Sequence, residues 1–235
     1  MEIPLESEPH QPQQPQLPML ESLGESLSVS RSRETAPDGG ALWELSETIY
    51  EGDGHFHFTA SGDITREFVS AIGDRITLIC TAYTNPTIHI KFRSAGGDTT
   101  AALGLVEELK LIRMEADPEL GFAPKSRPRI IFIAFDYIAS CAMYIFAQGD
   151  ERYALRGTKF MFHCTQIYRS DGSPDDTEYA LEMATKYDLA LCRPFALVTR
   201  YPLSDWFRLI RTRLDWTFTQ TQMFETGLVT KVISW

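Results

Sequence analysis

Two periodicities divide most of this chain. Residues 55–63, HFHFTASGD, alternate as a strand with one buried face does, and they end on a Gly-Asp turn. The next segment, ITREFVSAIGDRITLICTA, sets Phe68, Ala71, Ile72, Ile76 and Ile79 at helical spacing. TNPT breaks that helix. IHIKF then reads as a second strand and RSAGGD as the loop at its end. TTAALGLVEELKLI follows as a helix with Ala102, Leu105, Val106, Leu109 and Ile112 on one face. RIIFIAF has the unbroken apolar character of a fully buried strand, and it runs into IASCAMYIFAQGD, an apolar helix with a serine at its start.

The last third continues the alternation. YALRG and KFMFHC are short strands. SPDDTEYALEMATKYDLAL predicts a helix with Ser173 as N-cap, Pro174 at the first helical position and two acids in the first turn. LSDWFRLIR predicts another, capped by Ser204. TQTQMFETG carries a capping box, Thr219 with Gln222, and a helix stop at Gly227. LVTKVI is a closing strand. Strands alternating with helices predict an α/β fold with a parallel sheet of βαβ units. No internal repeat is present.

Before all this the periodicity fails. Residues 1–42 are rich in Pro, Gln, Ser and Glu, a composition that buries too little apolar surface to offset the entropy of ordering. The expectation is a disordered N-terminal leader over 1–42, with a removable propeptide or docking tail as its functional version, and one folded domain over 43–235. The whole chain of 235 residues is 43% hydrophobic, enough for a substantial core. Its formal net charge of −10 argues against a nucleic-acid-binding protein, which needs clustered Lys and Arg. No secretory signal or bilayer-spanning run is found. Cys80, Cys141, Cys164 and Cys192 form no C-x-x-C pair and read as buried free thiols. A cytoplasmic protein without membrane attachment is expected.

Two strand-to-helix junctions carry the candidate chemistry. Gly96 and Gly97 sit where the backbone can turn its N–H groups outward and let a ligand approach. Ser140 begins a helix, with the Cys141 amide facing the same space, so it is either an N-cap or a nucleophile beside an oxyanion hole. A nucleophilic serine needs a base, and His163, at the end of KFMFH, supplies one if its strand lies beside the serine's own; otherwise it is a satisfied strand-end histidine. His55 and His57 share a strand face by alternation, but no second half of a tetrahedral zinc site is evident, so no metal is expected.

Three segments resemble the Clp protease proteolytic subunit (ClpP) family. IHIKFRSAGGDTTAALGLVEELK is similar to that family's strand, N-S-P-G-G loop and helix. IASCAMYIFAQGDERYALRGTKFMFH is similar to its A-A-S-M-G-A-x-L-L-x-A-G segment and the strand ending in histidine. LDWTFTQTQMFETGLVTKVI resembles its R-D-x-x-x-x-x-x-E-A-x-x-Y-G-L-V-D-x-V-I run. The resemblance spans roughly residues 55–235. It implies a ClpP/crotonase-like spiral of βαβ units and a serine endopeptidase. Ser140 is the implied nucleophile, His163 the base, Asp215 the acid that orients it, Gly97 and Cys141 the oxyanion hole, and Gly96 part of the substrate-binding loop. It also implies a polypeptide substrate, a homo-oligomeric ring, an AAA+ unfoldase as partner, and no cofactor. The chain departs from the pattern in four places, the first being Ala142 where the family's motif has glycine. The loop is RSAGG, with Arg93 at the usual asparagine. FDYIAS replaces Gly-Gln-Ala-Ala-Ser. The segment after His163 lacks the family's glycine-rich strand. An inactive assembly or regulatory subunit would carry such departures too, and a crotonase-type acyl-CoA enzyme is the third alternative.

Overall fold

The computed structural model describes residues 32–35, 41–113, 127–165, 174–212 and 214–234. The chain opens with four strands, β1 (Ser32–Thr35), β2 (Ala41–Leu45), β3 (Ile49–Gly52) and β4 (His55–Gly62). It continues through α1 (Arg66–Ala82), β5 (Thr87–Ser94), α2 (Thr99–Arg113), β6 (Arg129–Ala139), α3 (Ala142–Phe146), β7 (Glu151–Leu155) and β8 (Lys159–Phe162). The last elements are α4 (Pro174–Val198), α5 (Leu203–Arg211), β9 (Trp216–Thr219), α6 (Gln220–Thr226) and β10 (Lys231–Ile233).

The principal sheet runs β1-β2-β4-β5-β6-β7-β10. From β4 to β10 every pair is parallel, as the βαβ alternation predicted. β1, β2 and β3 pair antiparallel at one side. Residues 32–35 and 41–42, read from composition as leader, therefore belong to the sheet; residues 1–31 lie outside the described residues.

β6 is the pivot of the fold. Its first half, Ile131 to Ala134, pairs with β7, and its last residues, Tyr137 to Ala139, pair with β8. Between them Asp136 takes a positive φ of 61°, which turns the strand out of one layer into the next. Arg93, the residue at the family's usual asparagine, bridges this turn: it donates to Ser61 Oγ at 3.0 Å and pairs with Asp136 at 3.3 Å. β9 adds antiparallel to β8.

Alternation on β4 and β5 buries Phe56, Phe58 and Ala60, then Ile88, Ile90 and Phe92, against the helices. α1 buries Phe68, Ile72, Ile76 and Ile79, all read from its period; the fifth residue of that set, Ala71, is only half-buried. Behind the turn, Phe132, Phe146 and Phe160 meet in succession as tilted rings, and Phe162, Phe195 and Trp206 meet at 5.1 to 5.6 Å. The buried Arg152 needs no carboxylate: it donates to the carbonyls of Leu228 and Gly149 at 2.7 Å and of Gly227 at 3.4 Å, tying β7 to the C-terminal segment.

One predicted cap moves. α5 starts at Leu203 after an extended Pro202, so Ser204 lies inside the first turn and caps nothing. Ser173 lies outside the described residues, and α4 runs beyond the predicted stop to Val198. The Thr219–Gln222 capping box and the left-handed Gly227 stand as read. Cys141 and Cys192 are buried free thiols, while Cys80 and Cys164 are half-buried. No helix among the described residues is long and apolar enough to cross a membrane.

Candidate active site

Ser140 stands one residue beyond the end of β6, in the left-handed region with φ 54°. It is not the helix cap: that position belongs to Cys141, which makes no side-chain cap bond, and α3 spans only five residues. The hydroxyl is therefore free of the backbone. The conformation is held from both sides, because Ser140 N–H donates to Met161 O at 2.9 Å and Ser140 O accepts from Met143 N–H at 3.1 Å. A non-glycine residue held there costs on the order of 1–3 kcal/mol, a strain that persists only where the surroundings over-determine it.

β8 lies beside the end of β6, and His163 follows it directly. Its Nε2 is 2.6 Å from Ser140 Oγ. With the imidazole proton on Nδ1, Nε2 accepts the serine hydrogen bond. The β8–β9 register, Phe162 opposite Trp216, carries on to set Asp215 beside His163. Asp215 Oδ1 is 4.0 Å from Nδ1, an ion-pair distance that is not a hydrogen bond, and its side chain is 71% exposed. The three residues named from sequence thus meet at one point, the acid least closely.

The glycine loop closes over the serine. A Cβ on Gly96 would stand 2.6 Å from Ser140 Cβ, and one on Gly97 would stand 2.4 Å from Ile64 O. Both have positive φ, 99° and 146°. Gly96 O accepts from Ile64 N–H and Asp98 N–H donates to Ile64 O, each at 2.8 Å, which pins the loop to the end of β4. Burial pushes the Cys141 thiol up to about 12, outweighing the backbone N–H groups of Gly97 and Cys141. The thiol is a neutral group at pH 7. A cavity of about 290 Å³ opens here, bounded by Gly97, Ser140, Cys141, Tyr144, His163 and Leu191 among others.

Asp188 on α4 was not found from sequence. It is 5% exposed, and its Oδ1 accepts from Thr165 N–H at 2.8 Å, holding the segment that leaves His163. Burial raises its pKa, while Thr165, Arg211 and His163 act to lower it. In sequence it is one acid on the face of a long helix, and nothing local marks it.

No family profile matches the chain, and no curated protein matches it in sequence. Among solved structures it is similar to a ClpP1 mutant from Listeria monocytogenes, with a TM-score of 0.61 and 16% identity over 76% of this chain and 91% of that one. The fold is ClpP-like: a mixed α/β domain built on a largely parallel sheet.

Proposed function

We propose that this chain is a ClpP-type serine endopeptidase with Ser140 as nucleophile. The observation that carries the reading is the 2.6 Å contact between Ser140 Oγ and His163 Nε2, at a serine held in a strained left-handed turn. Ser140 Oγ attacks a peptide carbonyl while Nε2 takes its proton. The tetrahedral oxygen is bound by the amides of Gly97 and Cys141, each such donor contributing about 3–4 kcal/mol to the transition state. His163 returns the proton to the leaving amine, and water then resolves the acyl-enzyme by the same steps in reverse. Asp215 orients the imidazole once it closes on Nδ1. No cofactor is needed. The substrate is a polypeptide bound beside the glycine loop at Gly96, inside a homo-oligomeric ring served by an AAA+ unfoldase.

The distance of Asp215 supports a second reading, an assembly subunit without activity, since an exposed acid at 4.0 Å fixes no tautomer. A fluorophosphonate probe separates the two. Intact-mass and peptide mass spectrometry are expected to find one adduct, on Ser140, absent in Ser140→Ala and slowed by at least about a hundredfold in His163→Ala. Absence of an adduct in the fully assembled protein would leave the inactive reading standing.

A further inference from the structure

At the other end of the parallel strands, three histidines converge. β4 turns Phe56 and Phe58 into the core, so His55 and His57 emerge on the opposite face. β5 runs parallel to β4 with His57 opposite His89, which places the third imidazole beside the first two. The rings of His57 and His89 stack at 4.2 Å and 6°, and His55 Nδ1 is 3.2 Å from His89 Nε2. One nitrogen from each of the three lies within 4.8 Å of the other two.

A fourth donor comes from the edge strand. The β3–β4 register slips between Tyr50 and Gly52, and this bulge aims Glu51 at the same point. Glu51 Oε2 is 2.9 Å from His57 Nε2, a nitrogen that is itself buried. This carboxylate adds an oxygen donor to the three ring nitrogens. Two cations stand near the cluster, Lys91 on β5 and Arg129 on β6. Arg129, the nearby cation on β6, is already paired with Glu151.

We infer that His55, His57, His89 and Glu51 form a site for one divalent transition-metal ion of the zinc class. Three imidazoles and a carboxylate match the ligand preferences of zinc and its first-row neighbours. With nitrogens at about 2.0–2.1 Å from a tetrahedral ion, neighbouring ligand atoms stand about 3.3 Å apart. The His55–His89 pair already has that spacing, and the others reach it by rotation of half-buried rings. His57 lies seven residues before Ile64, the residue that pins the glycine loop, so about 20 Å of chain at the rise of a strand separates the cluster from that loop. The ion's effect is structural: it clips β3 to β4 and β5 and makes the stability of that edge depend on free metal.

The test uses the full chain without a histidine tag, stripped by a chelator and titrated with Co²⁺, then Zn²⁺. The expected result is visible ligand-field absorption saturating near one Co²⁺ per chain and abolished by Zn²⁺. Affinity is expected to fall at least about tenfold in His57→Gln and in His89→Gln, less in the exposed Glu51→Gln, and not at all in His163→Ala. Circular dichroism on each variant establishes that it is folded. Hydrogen exchange gives a readout without substitution: Zn²⁺ slows exchange at residues 49–52 of the native chain. Absence of stoichiometric binding, or binding unchanged in both histidine variants, would overturn the site.

Discussion

At the scale of the residue, Ser140 combines chemistry with strain. Its left-handed backbone at φ 54° points the hydroxyl away from the helix it would otherwise cap. Replacing it should therefore separate function from stability. Ser140→Gly relieves the left-handed conformation and Ser140→Ala does not, so the glycine variant is expected to unfold about 1 kcal/mol later than the alanine variant in urea. Both lose the probe adduct. Gly96 tests the same neighbourhood from the other side. An alanine there meets Ser140 Cβ at 2.6 Å in a backbone that disfavours it, so Gly96→Ala is expected to slow labelling of Ser140 by at least about tenfold. A labelling rate equal to that of the native chain would show that the loop does not close on the serine. Asp215, by contrast, is reached only through its place in the strand pair. Asp215→Asn is expected to slow labelling by about ten- to a hundredfold, less than His163→Ala, because the exposed acid contributes little until it closes.

At the scale of the element, legibility followed how local each cause is. The periods of α1, α2 and β4 reflect burial on one face, and they were readable without any neighbour. The Thr219–Gln222 box is contained within four residues and was readable too. Ser204 misled because a serine near a helix start looks the same whether the helix begins before it or after it; the extended Pro202 decides, and Leu203 is already helical. The positive φ of Asp136, which divides β6 between two layers, has no local signature. The third histidine was missed for a related reason: His89 is paired with His57 by parallel register, which the sequence does not print. Asp215 entered only through family resemblance, and the β8–β9 pairing supplies its physical cause. Two measurements test these elements. Thr219→Ala removes the cap of α6 and should cost about 1 kcal/mol in equilibrium unfolding. Arg152→Met leaves three carbonyls without their donor and should cost at least about 2–3 kcal/mol, well above the cap.

At the scale of the whole molecule, the open question is what covers α4. Between residues 178 and 187 this helix buries no side chain, and Tyr179 and Leu181 are 59% and 51% exposed. From residue 178 on, the first fully buried residue is Asp188, which also fixes the segment after His163. A helix segment whose inner face is only half-buried draws less stability from its own domain, since most helical stability in proteins comes from tertiary packing. In the proposed ring, a second copy seated on this half of α4 would bury the two apolar side chains. It would also stiffen the helix that holds Asp188 and, through Thr165, the strand end bearing His163. Assembly and activity are then coupled through one element. Leu181→Glu places a charge in that contact and is expected to shift sedimentation from the assembled species toward the monomer, with the far-UV circular dichroism of the fold retained. Labelling of Ser140 should fall along with the assembled fraction and recover at high protein concentration. Full-size assemblies from Leu181→Glu would show that copies meet elsewhere. A monomer that labels as fast as the native protein would show that the serine needs no ring to be reactive.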